Sequence, residues 1–215
     1  MSDSPTLAEV IQNALRAEML EIHTMLPARV EKYDSNTQKA SVSPLLKKKY
    51  IDGEIVQLPV INDIPVQWPS GGDAFIHMPL KVGDIGMAVF AERSLDKWLS
   101  GDGGFVVPDD PRHHNLTDAV FIPGISTFSQ AFPVPNPDNL TVKNNNIVIE
   151  LDPSGKIKIE GATKELLTVL DSFMGNVINA QVLIDSGSSA GQWPLDPATI
   201  AALTQDQTDL NTLKI

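Results

Sequence analysis

The stretch FIHMPLKVGDIGMAVFAERSLDKWLSGDG, residues 75–103, gathers His77, Glu92, Arg93, three aspartates and two serines into one short segment. These are the residue types of a hydrolase site, so their spacing decides whether they do chemistry. Ser94 sits in AERSLDKW, which is not the Gly-x-Ser-x-Gly elbow that strains a nucleophilic serine. The four histidines, His23, His77, His113 and His114, have no catalytic motif around them. His113 and His114 are adjacent rather than four apart, and no carboxylate pattern converges on them as a metal would need. DPSG with Asp152 lacks the ligand density of a calcium loop. Glu92 and Asp96 are four apart and could serve as a glycosidase pair, but exposed carboxylates in an acidic chain are the simpler reading. The chain has no cysteine, which excludes disulfides, thiolate metal sites and thiol catalysis. The expectation is no enzyme, no metal and no cofactor.

An architectural reading accounts for the same residues. Gly83 and Asp84 form a tight turn. Gly86 stands where a side chain would crowd a barrel crossing. Arg93 is expected to pair with Asp96 or Asp118, Trp68 and Trp98 to cover the barrel ends, and Arg112 and His114 to tie down their loop.

The elements that must position these groups follow from periodicity. Ser4 is the expected cap and Pro5 the first residue of a helix carrying Leu7, Val10, Ile11, Ala14, Leu15 and Ile22 on one stripe, with Pro27 ending it. Such a stripe docks on its own domain or serves a partner. From Ala28 the period falls to two, and turns at DSNT, Asp52-Gly53, the glycine pair 71–72 and KVGD separate five or six short antiparallel strands. That is the pattern of a small barrel. Lys47, Lys48 and Lys49 read as guards of a strand edge. Residues 91–137 read as irregular, with PVPNP at 133–137 a stiff spacer.

Beyond the spacer, NNIVIELDPSGKIKIEG reads as a hairpin with Ile147, Ile149, Leu151, Ile157 and Ile159 on one face, and Lys156, Lys158 and Glu160 toward water. Two short strands cannot cover such a face alone. Leu166, Leu170, Phe173, Val177, Ala180 and Ile184 then follow at alternating spacings of four and three, a heptad seam that Leu167 and Met174 widen. Asp196 and Pro197 cap a last helix with Ile200, Leu203, Leu210 and Leu213 on one side. The formal net charge of −11 disfavours nucleic-acid partners. No basic, apolar leader and no transmembrane-length apolar run is present, so the chain is expected to be soluble when made.

Several motifs occur together over roughly residues 25–127: Trp68-Pro69, Gly71-Gly72, Met78-Pro79-Leu80 and Gly83-Asp84-Ile85-Gly86. They continue with Glu92, Arg93, Ser94, Asp96 and Trp98, then Arg112, His114, Asp118 and Ala119. This pattern resembles the N-terminal domain of the central spike proteins of contractile-tailed bacteriophages. The resemblance implies an OB-fold collar of three chains, held by baseplate hub and tail-tube proteins. The assembly closes the tail tube and is driven through the host outer membrane when the sheath contracts. It also implies that the motif residues are architectural. Longer relatives end in a β-helix with a His-x-His iron tip, but no histidine follows His114 here.

The sequence expectation is therefore mainly β with helical ends. It comprises an N-terminal helix (1–26), an OB-fold-like collar (27–127), a linker with a short trimeric β-prism hairpin (128–161), and a C-terminal helical hairpin (162–215) forming a trimeric coiled-coil tip. The expected place is the virion baseplate, assembled in the host cytoplasm. Whether a separate tip protein attaches is left open. The rival reading is an OB-fold binder of single-stranded nucleic acid or carbohydrate, which needs exposed aromatics and, for nucleic acid, a basic groove.

Overall fold

The computed structural model describes residues 6–50, 53–134, 136–184 and 187–214. The chain forms two compact units, residues 1–131 and 132–215. The first contains α1 (Leu7–Glu21), β1 (Met25–Asp34), β2 (Lys39–Pro44), β3 (Lys48–Lys49), β4 (Ile55–Val56), β5 (Ile61–Pro65), β6 (Ser70–Gly71), β7 (Ala74–Phe75), β8 (Ile85–Phe90), α2 (Asp96–Leu99) and β9 (Ala119–Pro123).

Five of these strands make one antiparallel sheet in the order β5-β2-β1-β8-β9. Its register explains its core. Val30 faces Val42, Ala28 faces Gly86, and Ala88 faces Phe121, so the apolar residues of neighbouring strands meet on one side. Val30, Val42, Ala88 and Phe121 are fully buried there. The register shifts between Val30 and Lys32, a bulge that sharpens the strand's twist. The two edges of the half-barrel meet where Val66 bridges Phe121 in parallel and Gln67 N donates to Phe121 O at 2.9 Å.

The turns form as expected at Asp34, whose carboxylate accepts from Asn36 N and Thr37 Oγ1, and at Gly53, with φ of 93°; Asp52 lies outside the described residues. Gly72, with φ of 57°, sits in a two-residue loop joining β6 to β7. The strand expected over residues 73–80 is only Ala74 and Phe75 long. Two further differences matter. Pro27 does not end the helix. It lies within β1 opposite Met87, and α1 stops at Glu21. Within the stretch read as irregular, Ala119–Pro123 is a core strand.

The described cap of α1 is Thr6, in a capping box with Glu9; Ser4 and Pro5 lie outside the described residues. The helix buries none of its residues. Its stripe of Leu7, Val10, Ile11, Leu15 and Met19 is exposed.

The second unit contains β10 (Leu140–Asn144), β11 (Ile147–Leu151), β12 (Ile157–Glu160), α3 (Leu166–Ile178), β13 (Gln181–Ile184), β14 (Gly191–Pro194) and α4 (Pro197–Leu213). The expected hairpin is the β11–β12 pair, and β10 adds a third strand to it. The heptad seam is shorter than expected. α3 ends at Ile178, and Asn179 caps its last turn by donating Nδ2 to Gly175 O at 2.7 Å. Ala180 is therefore outside the helix. Ile184 is in β13, which pairs with β14. Asp196 caps α4 through Ala198 N and Thr199 N, with Pro197 at the first helical position. α4 packs on α3: Gln207 Nε2 donates to Asp171 Oδ1 at 2.6 Å, and Lys214 pairs with the same carboxylate.

Candidate functional site

The segment that first suggested chemistry is organised by one ion cluster. Arg112 grips Asp118 with two hydrogen bonds, Nε to Oδ2 at 2.6 Å and Nη2 to Oδ1 at 3.0 Å. Its Nη2 also reaches Asp96, and Nη1 donates to Asp110 at 3.0 Å. Asp118 is 1% exposed and also accepts from Leu95 N at 2.9 Å. Burial pushes the Asp118 pKa up, but hydrogen bonds from Arg112, Leu95 N and the buried Ser94 pull it below the usual aspartate value. These bonds join three positions, the start of α2, the 108–112 loop and the approach to β9. A planar fork suits that task, because guanidinium matches carboxylate in two parallel bonds.

Arg93 does not take the partner expected of it. It pairs with its neighbour Glu92 at 3.0 Å, in the open. Arg112 fills the role instead, because the fold brings residue 112 to Asp96 and Asp118. Glu92 and Asp96, the candidate acid pair, are thus held by different arginines. His114 acts through its backbone. With φ of 48°, it donates N to Ala91 O and accepts from His23 N, each at 3.2 Å, tying the loop to the end of β8 and the entry to β1. Among the described residues no group of three or more His, Asp or Glu is placed to hold a metal ion.

The glycine and tryptophan motifs have separate tasks. A Cβ on Gly86 would stand 2.4 Å from Ile122 O and 2.5 Å from Phe121 Cζ, so the missing side chain lets Phe121 cross the sheet. Gly83, with φ of 99°, sits in a turn closed by Asp84, whose carboxylate accepts from Lys81 N at 2.7 Å. Leu80, after Pro79, packs on the core. Pro69 O accepts from Ile76 N at 2.9 Å, holding the β6–β7 hairpin with its Gly71 and Gly72. Trp68 is a core residue rather than an end cover, edge-on to His77 at 4.8 Å between ring centroids. Trp98 is half exposed and forms one wall of a 590 Å³ groove with Trp68, Phe75 and Leu99. Among the described residues no lysine or arginine lines that groove. Of the lysines read as edge guards, Lys48 is half-buried against Tyr50 and paired with Glu21.

In the second unit, the cross-strand register puts Val142, Ile149 and Ile159 in one row and Leu140, Leu151 and Ile157 in the next. With Ile147 they make one apolar face, on which Leu140, Val142, Ile147, Ile149 and Leu151 are exposed. The opposite face is not simply wet. Glu150 is buried there and accepts from Asn139 Nδ2 at 3.3 Å, while Lys158 pairs with Glu160 at 2.7 Å. On α3, Leu167 is buried, and Asp171, Met174 and Ile178 are half-buried within the chain. Leu167 and Met174, read as widening the seam, therefore belong to the inward side. Leu166, Leu170 and Phe173 remain exposed, with Val177 half-covered. Ile200, Leu203 and Leu210 of α4 are half-buried as expected, whereas Leu213 is exposed.

The first unit is thus a small half-barrel with a loop pinned by an arginine–aspartate cluster. Residues 26–124, nearly the whole span from β1 to β9, match the family described as the phage protein Gp138 N-terminal domain. The match lies within the region that carries the motif pattern. No curated protein matches the chain.

Proposed function

We propose that this chain is a structural protein of the phage virion, the trimeric central spike of a contractile-tail baseplate. Its barrel is the OB-type collar, supported by a five-stranded sheet whose first and last strands in the order meet. Its role is mechanical: to close the tail tube and concentrate force on the outer membrane when the sheath contracts. The baseplate hub and tail-tube proteins hold it, and the membrane is met only in passing.

The observation that carries this reading is the uncovered apolar surface of the second unit. Leu167 is its one buried hydrophobic residue among those described. The sheet face of Val142, Ile149 and their neighbours and the α3 stripe of Leu166, Leu170 and Phe173 need partners. Copies of the chain meeting on one axis would cover both, as a short prism and a short three-helix seam. The number three rests on the family resemblance. With α3 ending at Ile178, the seam spans about 20 Å, so the tip is short and blunt.

The competing binding-module reading is weaker. The aromatic groove offers stacking surface but no positive charge, and the chain carries −11, against what single-stranded nucleic acid requires. The deciding measurement is the native mass of the full chain at micromolar concentration. Three chains per particle are expected, and a monomer would sink the spike reading.

A further inference from the structure

We propose that the groove walled by Trp68, Phe75, Trp98 and Leu99 receives Phe128 from a neighbouring copy of the chain, so that the barrels lock into a ring through an aromatic knob and its hole. This rests on the trimeric reading above and adds the contact that would hold the collar.

Phe128 projects from a single 3-10 turn, Phe128–Gln130, and is 106% exposed. The turn is built to present it. Gln130 N donates to Thr127 O at 2.9 Å, and the Thr127 and Ser129 hydroxyls share a bond at 3.1 Å. The groove is the complementary feature. Trp68 is its buried floor, while Phe75, Trp98 and Leu99 are apolar walls left open. It is uncharged, so what fits it is an apolar side chain, and an aromatic one can pack edge-on or offset against the two indoles.

Along the chain, the groove and the knob lie on either side of β9. Val120 lines the groove near the start of the strand, and Phe128 follows beyond its end at Pro123. The intervening strand is about 10 Å long. A ring of identical subunits requires this separation, because each subunit offers one patch to the neighbour on one side and a different patch to the neighbour on the other. A two-fold dimer would instead bury one self-complementary patch.

The absence of cysteine makes a clean test. Ser70 on the groove wall and Ser129 beside the knob are both exposed, so Ser70→Cys and Ser129→Cys leave Phe128 and the tryptophans intact. The full-length double variant, treated with a short bifunctional maleimide, should give covalent dimers and then a covalent trimer on a denaturing gel. Neither single variant should form the trimer. Adding Phe128→Ala should slow crosslinking about tenfold, as for loss of an anchor residue. A native trimer that yields no covalent trimer, or whose crosslinking ignores Phe128→Ala, overturns this contact and leaves the trimeric reading standing. An internal crosslink within single chains, or tryptophan fluorescence of the trimer that responds to added oligosaccharide because the groove is free, also overturns it. A monomeric native mass removes both proposals.

Discussion

Arg112 and Asp118, six residues apart, hold each other through two parallel hydrogen bonds of 2.6 and 3.0 Å, with the carboxylate sealed from solvent and the guanidinium a quarter exposed. Removing the arginine would leave a buried carboxylate without its counter-charge. Arg112→Met is expected to destabilise the barrel by about 3 kcal/mol or more, at the scale of broken buried pairs. Arg112→Lys should recover only part, because an ammonium cannot reproduce the fork. Urea unfolding of the three proteins checks the order. Equal stability of wild type and Arg112→Met would show that the cluster holds nothing.

This pair also shows where the sequence was readable and where it was not. Glycine turns and two-residue alternation exposed β1, β2, β5 and β8, because one buried face imposes that period. β9 was hidden because AVFIP is short and lies between stretches rich in Gly, Pro and Asp; the alternation of Ala119 and Phe121 was its only mark. The same holds for LTVKN of β10, next to the Pro-rich spacer. Arg93 is nearer to Asp96 along the chain, whereas the pairing of residue 112 with Asp96 is a product of the fold. The seam overran α3 because four-three spacing of apolar residues cannot tell the last turn of a helix from a following strand. Asn179 as a cap and the apolar pair in QVLI were the available signals.

Gly86 gives a steric prediction. Gly86→Ala would place a methyl group against both the Phe121 ring and the Ile122 carbonyl. Overpacking of this kind typically costs about 1–3 kcal/mol. Phe121→Leu should not rescue it, because the backbone oxygen at 2.4 Å remains. Thermal melts of the single and double variants test this, and a double variant more stable than Gly86→Ala alone would show that the ring was the whole obstacle.

α1 yields a prediction of little effect. It buries no residue of its own, so deleting residues 1–20 should change barrel stability by no more than about 0.5 kcal/mol, as for surface changes. The deleted protein should fail to enter baseplates if the exposed stripe of Leu7, Ile11 and Leu15 is the handle for a hub protein. Loss of barrel folding on deletion would place the helix in the core instead.

Glu165 sets a pH dependence in the second unit. Partial burial pushes its pKa up, but the amides of Leu167 and Thr168, at 2.9 and 2.6 Å, hold it down to about 2, from an ordinary 4.5. The folded state therefore binds this proton less readily than the unfolded state. The stabilisation is complete above pH 4.5 and drains away as pH falls toward 2. Glu165→Gln should be less stable at neutral pH and should flatten the loss of stability across that window. A variant with the wild-type pH slope would show that the carboxylate is not the titrating cap.

The sharpest test of the proposed tip uses two residues of the α3 stripe. Leu170 is 39% exposed and Phe173 is 62% exposed, both on the same helix as Asp171, which holds Gln207 of α4. In a lone chain, Phe173→Asp is mainly a surface change, worth no more than about 0.5 kcal/mol, while Leu170→Asp also gives up a partly covered side chain, worth about 1 kcal/mol. On a shared axis the double variant puts two unpaired charges per chain into an apolar seam, which costs several kcal/mol per ion. Sedimentation should then show the trimer dissociating or its second unit splaying, while the barrel melts unchanged. If the variant sediments as wild type with the same stability, the α3 stripe does not lie on the axis, and the sheet face of Val142 and Ile149 must carry the association alone.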